Sequence, residues 1–232
     1  MLNLKICNYS EYRGKGLACL MDFWGTFYRF GETVLLLLYV NILWILFTLL
    51  GAVIFGVGPS TIAMYTVFRR WSMGETDVQV FPTFWGSFKE SFFKANLLAL
   101  ILVIMGYMLY VNWNYFQLNH AWFSIIIRYI ILIVSFIYGM MLVYIFPLFV
   151  HYDNTFVNHF KNSILLAIHH PIRTIYLLAA LFTLYYLFAT LPVCIFLMGP
   201  SLVSLVIMWI TYRTFLRVEY RQAQIQNEIE GN

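Results

Sequence analysis

Four histidines, His151, His159, His169 and His170, gather over residues 151–170, with Asp153 beside the first. Imidazoles near a carboxylate are the raw material of a metal site or of acid–base chemistry. On a helix, His159 and His170 stand three turns apart on one face, about 16 Å, which is too far to share one ion. They read instead as polar residues at headgroup depth, with His169-His170-Pro171 marking a turn. Cys7, Cys19 and Cys194 are an odd count without a CxxC, so neither a disulfide framework nor a zinc site is indicated. No carboxylate pair and no nucleophile with its base converges elsewhere, and there is no GxxxxGK[ST]. The expectation is a protein that is not an enzyme, carries no metal or cofactor and binds no nucleotide directly.

The elements holding these residues belong in a bilayer. The 232 residues are 62% hydrophobic and only 10% charged, whereas a soluble domain carries about 25% charged residues. The formal charge of +4 points to anionic headgroups and to orientation, and not to nucleic acid, because the basic residues flank apolar runs. Thirteen of the fourteen Lys and Arg fall in four clusters, Lys5 to Arg29, Arg69 to Lys94, Lys161 to Arg173 and Arg213 to Arg221. Short loops rich in Lys and Arg face the cytoplasm.

Val34 to Phe55 is long enough to cross a hydrocarbon core of about 30 Å. It follows a basic, aromatic segment lacking a small-residue cleavage pattern, so it is expected to stay in the mature chain. Gly56-Val57-Gly58-Pro59-Ser60 then reads as a hairpin tip, because glycine follows helix ends and proline opens helices. The returning limb from Pro59 to Arg69 is about 15 Å long, so the tip is either re-entrant or shortened by snorkelling arginines. Leu97 to Phe116 and Trp122 to Val150 are the next spans. Ile175 to about Leu197 and Ser201 to about Tyr212 complete six, with Gly199-Pro200-Ser201 as the last tip. The fold class expected is all-α: a polytopic membrane protein of about six spans in three helical hairpins, with interfacial amphipathic helices and both termini cytoplasmic.

Two patterns recur. Ile54-Phe55-Gly56-Val57-Gly58-Pro59-Ser60 and Ile195-Phe196-Leu197-Met198-Gly199-Pro200-Ser201 share I-F-x-x-G-P-S. Phe23 with Phe27, Phe84 with Phe88 and Phe156 with Phe160 place two rings four residues apart, on one helix face. These define candidate units 23–72, 84–151 and 156–218 within one membrane domain, or arise by chance in an aromatic-rich chain. Phe81, Phe84, Trp85, Phe88 and Phe92 form an aromatic stripe opposite Lys89 and Glu90, as in an interfacial helix with a surface for a partner.

Polar residues at membrane depth are functional candidates because burying them is costly. Arg128, about five residues inside the fourth span, either contacts an anionic ligand or partner or snorkels outward. Asn41, in mid-span, is expected to hydrogen-bond a neighbouring helix. Glu32 has Arg29 one turn earlier, a local ion pair.

Trp44 to Gly51, Phe55-Gly56-Val57-Gly58-Pro59-Ser60, Arg69-Arg70-Trp71, Phe84 with Phe88, and Phe92-Phe93-Lys94 resemble the front half of the YesL-like bacterial membrane proteins. Phe146-Pro147-Leu148 and Lys161-Asn162 fit as well, and Pro59-Ser60 stands where the family pattern has Pro-Ala. The resemblance implies a multi-pass protein of a bacterial, mostly Gram-positive, plasma membrane, often encoded beside carbohydrate ABC importers. It supplies no catalytic or binding residues. The activity of the family is uncharacterised. Its importer association, the lack of a catalytic set and the aromatic stripe from Phe81 to Lys94 together lead to the expectation of a noncatalytic accessory subunit that docks on ABC permease subunits and aids assembly or gating. The other reading is an autonomous small-molecule carrier or channel.

Overall fold

The computed structural model describes residues 28, 31–75, 78–118, 122–152 and 155–230. Side chains at 122, 218–223 and 225–230 are not part of that description. The Phe23/Phe27 pair, Asp153, Cys7, Cys19 and the first basic cluster lie outside the described residues. The chain divides into two units, residues 1–39 and 40–232. In the first, the described segment opens helix α1 (Gly31–Leu50).

Among the described residues the second unit contains the rest of α1 and six further helices: α2 (Val57–Ser72), α3 (Val80–Leu118), α4 (Trp122–His151), α5 (Phe156–His169), α6 (Pro171–Thr190) and α7 (Pro192–Glu230). No strand occurs among the described residues. Among the described residues five helices are long and apolar enough to cross a membrane: α1, α3, α4, α6 and the Pro192–Arg217 part of α7. The protein is therefore all-helical and multi-pass. Helix α2 has 16 residues, about 24 Å, and is not among the five. It escapes lipid by enclosure: nine of its residues are buried, and it packs against α3, α4 and α7. A short helix surrounded by protein need not match the hydrocarbon thickness.

The first tip sits earlier than the glycine–proline pattern predicts. Helix α1 ends in a Schellman motif, in which the N–H of Val53 donates to the Thr48 carbonyl (2.9 Å) and that of Ala52 to the Leu49 carbonyl (3.0 Å). Ala52 and Val53 both have positive φ, 53° and 65°, a conformation that disfavours a β-branched residue. Gly51 and Gly56 close the turn. A Cβ on Gly51 would lie 2.4 Å from the Gly56 Cα, and one on Gly56 would lie 2.4 Å from the Thr48 carbonyl oxygen. Gly58, Pro59 and Ser60 form the buried first turn of α2. Gly58 lets that turn approach α3, since a Cβ there would stand 3.0 Å from the Ala95 carbonyl oxygen.

The last tip is also displaced. Gly199, Pro200 and Ser201 lie inside α7, and the chain reverses at Leu191. Leu191 leaves the helical conformation (φ −125°, ψ 75°) before Pro192, because proline disfavours the α region for the residue preceding it. His170-Pro171 makes the same kind of break between α5 and α6. Proline suits a first helical position, where its missing N–H costs nothing.

The aromatic segment from Phe81 to Lys94 is not a separate interfacial helix but the beginning of α3, which runs unbroken for 39 residues. Lys94-Ala95-Asn96-Leu97 contains no breaker, and Asn96 folds its amide back onto the Phe92 carbonyl, 2.9 Å away. Further along, Leu98 and Leu102 meet Met141 and Ile145 of α4, and Phe156, Phe160 and Ile164 of α5 pack onto that cluster.

Candidate functional site

Helix α2 ends in Arg69 and Arg70, beside the first three turns of α3. At i, i+4 and i+8 along α3, Thr83, Ser87 and Ser91 share a face, beside the ring stripe. That polar face turns toward α2, where Ser87 and Thr66 share a hydrogen bond of 2.8 Å between their hydroxyls. Arg70 Nη1 donates to Thr83 Oγ1 at 3.1 Å. Arg69 Nη1 reaches the Val150 carbonyl at 3.2 Å, in the last turn of α4, where carbonyls commonly accept from basic side chains.

These residues enclose a cavity of about 430 Å³. Arg69, Arg70 and Lys94 supply three cations against the single carboxylate of Glu90. Thr66, Thr83, Ser87 and Ser91 supply hydroxyls, while Ile62, Phe149 and Phe156 form its apolar part. Tyr152 and His159 also line it; His159 is buried and lies 5.1 Å ring to ring from Phe149. The chemistry available is recognition: a positive, hydroxyl-rich chamber suited to an anion with polar substituents.

The ring stripe has another use. Phe47 of α1 packs against Phe84 (5.1 Å), Trp85 (5.3 Å), Phe88 (5.0 Å) and Phe81 (6.4 Å). Phe84 is wholly buried and Phe88 is 8% exposed, whereas Phe81 and Trp85 remain 49% and 37% exposed. Phe92 is half-buried. The stripe taken as a docking face thus splits, with its central rings holding α3 to α1 and its flanks left open. Lys89 lies over the Trp85 ring at 4.3 Å.

Asn41 meets its expectation of an interhelical bond, and the acceptor gives the bond its meaning: Nδ2 donates to the Phe196 carbonyl of α7 at 2.8 Å. Arg128 is half-buried in the second turn of α4, away from the basic cavity. Among the described residues no group of three His, Cys, Asp or Glu could hold a metal ion.

Across most of its length the chain matches YteU of Bacillus subtilis (strain 168), an uncharacterized protein, at 36% identity, covering 88% of this chain and 91% of YteU. It belongs to the YesL-like family. YesV of the same organism is 36% identical over 83% of this chain and 93% of its own, and YesL is 31% identical over 84% and 91%; both are described as uncharacterized. The family described as "Protein of unknown function, DUF624" matches residues 37–113. That stretch contains the Schellman turn, α2 and the cavity face of α3. No solved structure matches the chain.

The cavity residues of this YesL-like protein were not assembled by sequence reasoning. The available signal was the row Thr83, Ser87 and Ser91 with Glu90 and Lys94, which gains its meaning only once α2 lies against it.

Proposed function

We propose that the protein is a noncatalytic accessory subunit that docks on the permease subunits of a carbohydrate ABC importer and aids their assembly or gating. The observation that carries the reading is the length of α3. Its apolar part, Leu97 to Phe116, fills the hydrocarbon core, so residues 80–96, about 26 Å of helix, extend beyond it. This extension displays Phe81, Trp85 and Phe93, the last 85% exposed, beside Lys89 over its ring. Exposed aromatics are favoured anchors at protein interfaces. Family membership supports the choice of partner through the importer association that the YesL-like resemblance implies.

The proposed topology is six crossings of a bacterial plasma membrane, with α2 as the short sixth and both termini cytoplasmic. The extension of α3 then lies on the cytoplasmic side, with Arg69, Arg70 and Lys94 at the same end, as the bias of basic residues favours. The test is affinity purification in mild detergent that preserves the importer. Permease subunits should be recovered with the protein, and recovery of the protein alone contradicts the proposal.

A further inference from the structure

The basic cavity has the features of a built ligand site. Its volume of about 430 Å³ exceeds what a bare phosphate fills and lies in the usual range for small-molecule pockets, about 300–1,000 Å³. Four helices converge on it: the cations come from both α2 and α3, and further walls from the end of α4 and the start of α5. A guanidinium carries five N–H donors, and the Nε of Arg69 is buried without a hydrogen-bond partner. A buried donor of this kind is costly unless something accepts from it. Arg70 is braced by Thr83, which orients its remaining donors in a planar fork matched to phosphate oxygens. The hydroxyls of Thr83, Ser87 and Ser91 and the Glu90 carboxylate line the same chamber, and such groups recognise neutral hydroxyls.

We propose that this cavity binds a phosphorylated polyol, its phosphate held by Arg69, Arg70 and Lys94 and its hydroxyls by Glu90 and the Ser/Thr face of α3. Two sources share that chemistry: the glycerol-phosphate headgroup of phosphatidylglycerol, and a free polyol phosphate. The inference rests on the cavity alone and stands whether or not a permease partner is found.

The test uses the full chain in phosphatidylcholine nanodiscs. In one arm glycerol 3-phosphate is titrated and the thermal unfolding midpoint is followed; in the other, discs with a minor fraction of phosphatidylglycerol are examined by native mass spectrometry for retained lipid. A saturable rise in midpoint that glycerol does not produce assigns a free ligand, and preferential retention of phosphatidylglycerol assigns the lipid. Lys94→Gln, a solvent-facing change, should weaken the positive arm about tenfold, the loss of one charge-assisted hydrogen bond. Lys89→Gln, which lies outside the cavity lining, should leave it unchanged. Absence of both signals overturns the proposal, as does equal weakening by Lys94→Gln and Lys89→Gln, which would mean unspecific surface charge.

Discussion

Asn41 and Phe196 are joined by a 2.8 Å hydrogen bond that exists because of a third residue, Pro200. In a regular helix the Phe196 carbonyl would accept from the N–H of residue 200, and proline has none. The Asn41 amide supplies the missing donor from α1, and Asn41 itself is fully buried. A proline in mid-helix and a polar residue in mid-span, each unfavourable alone, compensate one another.

The dependence is testable by a double-mutant cycle. Asn41→Leu should cost about 1 kcal/mol, typical of an interhelical hydrogen bond in a membrane, measured by unfolding in mixed micelles. In a Pro200→Ala background the backbone N–H returns to the Phe196 carbonyl, and the penalty of Asn41→Leu should fall toward zero. Equal penalties in both backgrounds would mean that the bond contributes nothing specific to the proline.

The two glycine–proline motifs should respond differently to substitution. Gly58→Leu pushes a side chain into the Ala95 carbonyl, and overpacking of this kind costs about 1–3 kcal/mol. A Cβ on Gly199 would meet only the Ile195 side chain, at an ordinary 3.5 Å, so Gly199→Ala should be neutral or slightly stabilising, given alanine's helix propensity. Yield of folded protein and thermal midpoint of the two variants provide the comparison.

This contrast marks how much was legible. Helical composition, the multi-pass arrangement and the breaks at proline follow from apolar run length and from the absence of a proline N–H, both local properties. The position of the first turn does not, because its left-handed C′ residue is Ala52, where glycine is usual, and nothing in Ala52-Val53 advertises it. Likewise I-F-x-x-G-P-S gives a turn-proximal helix start at one site and a helix interior at the other. At the second site the Phe196 carbonyl, left without a helical donor by Pro200, accepts from Asn41, 155 positions away, a pairing the motif itself does not reveal. The ring stripe was evident from its spacing, but its division between core and surface depends on Phe47.

Val53 offers a stabilising change. Its φ of 65° costs a non-glycine residue about 1–2 kcal/mol, and its side chain is exposed. Val53→Gly should therefore recover about 1 kcal/mol, reduced by the greater freedom glycine has when unfolded. A lowered thermal midpoint would contradict the strain at this turn.

Phe84→Ala removes a wholly buried ring from the α1–α3 contact and should destabilise the protein by about 3–5 kcal/mol. Phe93→Ala alters an exposed ring, and should leave the unfolding midpoint within a few degrees while reducing recovery of permease subunits. A reversed order of stability effects would invert the assignment of core and surface.

The docking proposal is tested most directly by site-specific photocrosslinking in intact cells. A photoreactive amino acid at Phe93, whose ring is open to contact from outside, should yield a crosslinked species containing a permease subunit, identified by mass spectrometry. The same amino acid at Phe88, packed on Phe47, should yield only internal products. Crosslinks from position 93 confined to lipid, in cells where the importer is assembled and active, would contradict an accessory role.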